Sequence, residues 1–163
     1  MAETGATSKR LRTPPHDLDA ERALLGAVIL KPDAMHDVSV TVYPESFYAD
    51  KHVEIYRAIL GLFTKGDPID FLSVSTKLKS NQQLERVGGA SYLTELTNFV
   101  PTASHVERYA EIVSQKATRR RLIKASQSIA TLGYDEGQSL QDLIESAETK
   151  LFEVSQQHIK QDI

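Results

Sequence analysis

A chain of 163 residues, 40% hydrophobic and 25% charged, suits one ordinary domain or a compact head with an extension, and these proportions exclude disorder throughout. A formal charge of −3 gives no overall pull toward polyanions, so any nucleic-acid role has to rest on a local basic face. The absence of cysteine removes disulfides, thiolate nucleophiles and cysteine-based zinc sites, and it fits a reducing compartment.

The opening stretch, "MAETGATSKRLRTPP", has no apolar run after its charges. It reads as a flexible tail over residues 1–17 rather than a signal peptide. A first helix is predicted over 18–30, with Asp17 as N-cap and Leu18, Leu24, Leu25, Val28 and Ile29 on one face. Its "ALLGAVIL" is the longest apolar stretch, far short of the ~20 residues that cross a bilayer. A soluble, intracellular protein is expected. After Pro32, residues 33–42 form a weaker helix rich in β-branched side chains, and "YPESFY" at 43–48 is an aromatic turn.

Residues 49–64 repeat Val53, Ile55, Tyr56, Ile59, Leu60 and Phe63 at three- and four-residue steps, which marks a helix. Gly66 stops it, and Pro68 forbids its continuation. Asp70 is placed to cap a short helix carrying Phe71, Leu72, Val74 and Leu78, and a fifth helix follows Gly88 and Gly89 until Pro101. Eight of the eleven Phe and Tyr residues lie between Tyr43 and Phe99, so the core is expected in a small all-α head spanning residues 18–101.

Beyond it, "SHVE" and "SLQD" match the capping-box pattern, Ser104 with Glu107 and Ser139 with Asp142. Each opens a long helix, over 104–132 and 139–156, and the short link "GYDEGQ" returns the second antiparallel to the first. The fold class is therefore all-α: a compact helical head, then a long antiparallel helical hairpin over residues 102–157. Along the first arm the apolar stripe changes sides. Val106, Tyr109, Ala110, Val113 and Ala117 share one face, whereas Leu122, Ala125, Ile129 and Leu132 share nearly the opposite one. The near half is expected to pack on the head and the far half on the returning arm, which leaves apolar surface for self-association. Leu122, Ile123, Ile129, Leu140, Leu143, Ile144 and Leu151 are the candidate hairpin or inter-subunit contacts.

The change of sides coincides with five cations, Lys116, Arg119, Arg120, Arg121 and Lys124. Their positions around the helix are spread rather than aligned, which favours solvated or ion-paired side chains over a track along phosphates. Contact with DNA or with a neighbouring subunit stays open for them. No Walker A, G-x-G-x-x-G or G-x-S-x-G pattern occurs. The five histidines (16, 36, 52, 105 and 158) lack metal-ligand spacing, and His52 reads more naturally as a packed or capping histidine than as a general base. No catalytic, cofactor or metal residue is assigned.

"PPHDLDAERALLGAVIL" (14–30), "FYADKHVEIYRAI" (47–59), "GDPID" (66–70), "VGGASYLTEL" (87–96) and "PTASHVERYAEIVSQKATRRRLI" (101–123) occur in one order and spacing. Together they resemble the N-terminal domain of the bacterial-type replicative DNA helicase, the DnaB family, over roughly residues 14–157. The resemblance implies a collar in which hairpins pair and dimers form a trimer on a hexameric ring, with the primase C-terminal domain docking on the hairpins. DNA contact by this part is then weak or indirect. ATP and Mg belong to a RecA-like motor domain, joined by a linker expected to begin at residues 158–163. This implies a non-catalytic assembly and primase-docking role, in the cytoplasm or in an organelle of bacterial descent, without a membrane partner. The alternative is a helical module that binds single-stranded nucleic acid through residues 116–124.

Overall fold

The computed structural model describes residues 12–162, with side chains to residue 158. Among these residues every regular element is helical. Helix α1 (Leu18–Leu30) begins where the Asp17 carboxylate accepts the Ala20 N–H at 2.9 Å. Ala20, Glu21 and residues 23–29 are all buried, so α1 is surrounded on every side and forms the axis of the head rather than one amphipathic wall. A 3-10 turn at Pro32–Ala34 leads into the short α2 (Met35–Thr41), which buries Met35 and Val38. Pro44–Ser46 forms another 3-10 turn before α3 (Asp50–Lys65).

Gly66 stops α3 in the left-handed region at φ 74°, where a side chain would be strained. Asp70 then caps α4 (Phe71–Ser80) by accepting the Ser73 N–H at 2.7 Å, and that bond holds its carboxyl below the usual range. Helix α5 (Gly89–Phe99) crosses α1 closely. A Cβ added at Gly26 would collide with the Leu96 carbonyl oxygen and the Val100 side chain, so the crossing exists only because residue 26 has none. Leu24, Leu25, Val28, Ile55, Ile59, Leu93 and Leu96 fill the core between these helices. The Tyr56 hydroxyl donates to the Val42 carbonyl at 2.7 Å, and burial pushes its phenol pKa up.

The hairpin arms are α6 (Val106–Gly133) and α7 (Leu140–Asp162). The 28 residues of α6 extend about 42 Å. Its first half packs on α1 and α2 and buries Val106, Ala110, Val113, Ser114 and Ala117; its second half runs beside α7. The expected change of apolar face is therefore a change of neighbour along an unbroken helix. From residue 118 to residue 158 nothing is buried.

Three boundaries differ from expectation. Ser104 does not cap α6: its hydroxyl pairs with that of Thr102 at 3.0 Å, and a 3-10 turn at Ala103–His105 precedes the helix, whose N-cap His105 makes no side-chain cap bond. Ser139 does cap α7, accepting the Asp142 N–H at 3.2 Å. Helix α7 continues through Asp162, past residue 157, where the hairpin was expected to give way to a linker. The expected tail lies outside the described residues as far as residue 11; residues 15–17 are half-buried against the head rather than free.

Gly26→Ala is expected to lose about 3 kcal/mol of stability in urea denaturation, because it overpacks the crossing. Gly61→Ala, whose Cβ meets nothing nearer than the Lys77 side chain at 3.5 Å, is expected to gain about 0.5 kcal/mol from helix propensity.

Candidate functional site on the helical hairpin

The root of the hairpin is set by polar contacts inside the head. Glu21, on a face of α1 that is otherwise apolar, is 2% exposed. Its Oε2 accepts the Tyr48 N–H at 2.7 Å, and its Oε1 accepts the Ala49 N–H at 3.3 Å. The same Oε1 lies 2.7 Å from His52 Nδ1, and His52 Nε2 lies 2.6 Å from the Tyr92 hydroxyl. The carboxylate can only accept, so Nδ1 carries the hydrogen of that contact, and Nε2 pairs with the phenol hydroxyl. The N-cap of α3, Ala49, has no side chain able to cap, so α1 lends it a carboxylate where the helix dipole is positive. His52 is completely buried with both ring nitrogens engaged; it is a packed histidine that joins α1, α3 and α5.

Arg120 extends this arrangement to the hairpin. Its guanidinium donates to the Pro15 carbonyl at 2.8 Å and to the Ser46 carbonyl at 2.7 Å. It also lies 5.6 Å from the centre of the Tyr48 ring, on which the His16 ring stacks at 4.1 Å. One side chain of α6 thus holds the segment before α1 and the turn before α3. Partial burial draws its pKa below the ordinary arginine value, against the opposing pull of Glu21 and Tyr48. Neither solvent nor an ion pair explains Arg120, contrary to expectation: backbone carbonyls hold it, because a guanidinium fork can serve two of them at once.

The other four cations diverge. Arg119 and Lys124 are exposed, and Lys116 is half-buried. Arg121 donates to the Thr118 hydroxyl at 2.8 Å, and its pKa is drawn down by burial and then by the charge of Arg120. Arg121 and Lys124 line a groove of about 300 Å³ between the arms, facing Lys150 and Glu153 of α7. Lys150 is the member of this group that reading α6 by itself does not reveal.

Of the apolar candidates, Leu122, Ile123, Leu140, Ile144 and Leu151 are exposed, Leu140 to 74%, whereas Ile129 and Leu143 are half-buried. Two further side chains join the exposed set: Phe152 at 61%, beside Leu151, and Tyr134 at 89%, at the tip. Both lie off the periodic stripe: Tyr134 is in the link between the arms, and Phe152 directly follows Leu151 of the stripe. No cluster able to hold a metal occurs among the described residues, and none of their helices is long and apolar enough to cross a membrane.

The family model of the DnaB-like helicase N-terminal domain matches residues 13–115, which covers the head and the embedded start of α6. The chain belongs to that family. The replicative helicase DnaB of Geobacillus stearothermophilus is 44% identical over 145 residues, which is 89% of this chain and 32% of the relative. The replicative helicase DnaC of Bacillus subtilis is 43% identical over the same shares. The chain spans about a third of the length of these curated DnaB-family helicases. The crystal structure of the N-terminal domain of DnaB from Mycobacterium tuberculosis superposes with a TM-score of 0.82 at 37% identity, covering 86% of this chain and 99% of that one. A DnaB-like replicative helicase whose structure was described with its interactions with primase gives a TM-score of 0.71 at 27% identity, over 85% of this chain and 31% of that one. The all-α head and hairpin is thus the architecture of a DnaB N-terminal domain.

In thermal unfolding, Arg120→Ala is expected to lose about 2 kcal/mol, the worth of charge-assisted bonds to two carbonyls. Arg120→Lys recovers little of it, lacking the fork, and Arg119→Ala stays within about 0.5 kcal/mol of the parent.

Proposed function

We propose that this chain is the assembly and docking module of a hexameric replicative DNA helicase. The head fixes the angle of the hairpin, the hairpin associates with sister copies, and the apolar surface left over receives the C-terminal domain of a primase. The whole protein would unwind DNA with ATP and Mg bound by a motor domain outside this sequence, in the cytoplasm at the replication fork. The observation that carries this reading is the hairpin's lack of a core: nothing from residue 118 to residue 158 is buried, while Leu122, Ile123, Leu140, Ile144, Leu151 and Phe152 stand exposed there. Apolar surface grouped in this way marks an interaction site. Its place in the DnaB family and its likeness to a helicase described with its interactions with primase support the choice of sister copies and a primase as partners.

A single-strand-binding role for residues 116–124 is the weaker reading, because Arg120 is occupied inside the head. Light scattering of the eluting protein tests the assembly. The parent chain is expected as a dimer or larger species at tens of micromolar, and Ile144→Asp with Leu151→Asp as a monomer of unchanged helix content. A parent chain that is monomeric throughout ends the proposal. In calorimetric titration with a primase C-terminal domain, Leu140→Asp and Phe152→Asp are expected to weaken binding at least about tenfold, in line with loss of a buried apolar anchor.

A further inference from the structure

The two arms meet along a seam whose edges differ. On one edge Arg121, Lys124 and Ser128 of α6 face Lys150, Glu153 and Gln157 of α7 across the groove of about 300 Å³. Within each arm these residues are three, four or seven apart and share one side of the helix. Leu140, Ile144 and Leu151 lie roughly 80–120° further round α7 from Lys150, so the exposed apolar row belongs to the other edge. The groove gathers three cations against the single carboxylate of Glu153, and Glu148, two residues from Lys150, is on the opposite side of α7. Among the described residues neither Lys124, Lys150 nor Glu153 is in an ion pair. Arg121, Ser128, Lys150 and Gln157 are half-buried, so charges and dipoles alike are drawn partly out of water. At Arg121 burial and then the neighbouring charge of Arg120 weigh against the guanidinium's own charge, and Glu45 offsets only part of that. Cations on both arms also repel across a seam with no core to resist them, since no residue from 118 to 158 is buried.

We infer that this groove binds a compact phosphate-bearing anion, which clamps the two arms together. A phosphate group carries a charge of about −1.5 to −2 at neutral pH on three strong acceptor oxygens, which matches three cations less one carboxylate facing it from two helices. Arg121 brings a planar fork of donors, Lys124 and Lys150 bring point charges from opposite arms, and the Ser128 hydroxyl and Gln157 amide add neutral donors. An anion held between the arms turns repulsion across the seam into attraction to a shared partner. An extended nucleic-acid strand fits less well. No aromatic side chain is among the described residues that line the groove, so a base has nothing to stack on, and the α6 wall from Arg121 to Ser128 rises only about 10 Å. The groove lies on a different edge from the apolar row proposed for assembly, and its ligand does not depend on pairing.

Inorganic pyrophosphate, added to the full 163-residue chain at constant ionic strength and without metal ions, is the probe. At roughly tenfold excess over its dissociation constant it is expected to raise Tm by about 3 °C. It is also expected to slow amide hydrogen exchange across residues 121–157 more than in the head. Lys124→Gln with Lys150→Gln removes both effects, with circular dichroism checking that the variant keeps its helix content. Arg119→Gln, at an exposed position outside the groove, leaves both in place. No shift at about 10 mM pyrophosphate, a shift that survives in the double lysine variant, or one lost in Arg119→Gln as well overturns the site. Exchange slowed equally in the head overturns the clamp. A labelled oligothymidylate that binds through the same two lysines, and more tightly than pyrophosphate, assigns the groove to nucleic acid and overturns the compact ligand.

Discussion

The outer half of α6 has only α7 to lean on, and two helices side by side cannot hide their apolar faces from water. That constraint governs the molecule. A pair of helices has a large surface for its volume, so side chains between them are at best half-covered. Ala125, Ile129, Leu132, Leu143, Ala147 and Val154 are half-buried in this way, and none of them is buried. In the head, by contrast, α1 is enclosed all round and Leu24, Leu25, Ile55 and Ile59 have no exposed surface. Each such side chain contributes about 1.5–3 kcal/mol by leaving water, so the stability of the chain is concentrated at one end. The hairpin is held to that core by the continuity of α6 and by the contact of α7 with α2.

Continuity fixes where the hairpin starts, and the polar contacts fix its direction. Arg120 sits about one turn beyond Ala117, the last buried residue of α6, and bonds to one carbonyl just before α1 and one just before α3. Tyr48, whose ring faces Arg120, gives its N–H to Glu21, which also engages His52 and through it Tyr92. A continuous set of polar contacts therefore runs from α5 through α3 and α1 to α6. Apolar packing would tolerate small rotations at this junction, because dispersion is not directional. Hydrogen bonds of 2.6–2.8 Å with satisfied partners do not.

Much of this is legible in the sequence. Asp17, Asp70 and Ser139 act as caps because each precedes an apolar-periodic run, and Gly66 ends α3 because a left-handed residue is needed there. The change of apolar face at Ala117 was visible because helical periodicity is a local property. What escaped was tertiary. Ser104 has the same pattern as Ser139, yet the backbone before α6 turns as a 3-10 segment and carries its hydroxyl to Thr102 instead. Arg120 stands among four other cations, and nothing local says that residues 15 and 46 meet there. Glu21 left a trace, a carboxylate three and four residues from Leu24 and Leu25 on a face that is otherwise apolar. Its partners, Tyr48, Ala49 and His52, are 27 or more residues away, out of reach of any local pattern.

Geometry explains what buried polar groups at the junction would do for the pairing proposed above. The free portion of α6 beyond Ala117 is about 24 Å long at 1.5 Å per residue, so a swing of roughly 10° at the root moves the tip by about 4 Å. That is comparable to the width of a side chain, and enough to carry Leu140 or Ile144 out of register in the proposed pairing. A closed symmetric assembly repeats every angular error at each interface and so demands a defined angle from each copy. A purely apolar junction supplies stability without that definition. The contacts from Tyr92 through His52 and Glu21 to the Tyr48 backbone, with Arg120 facing the Tyr48 ring, supply the angle, and in a DnaB N-terminal domain that angle decides where the exposed face of the hairpin points.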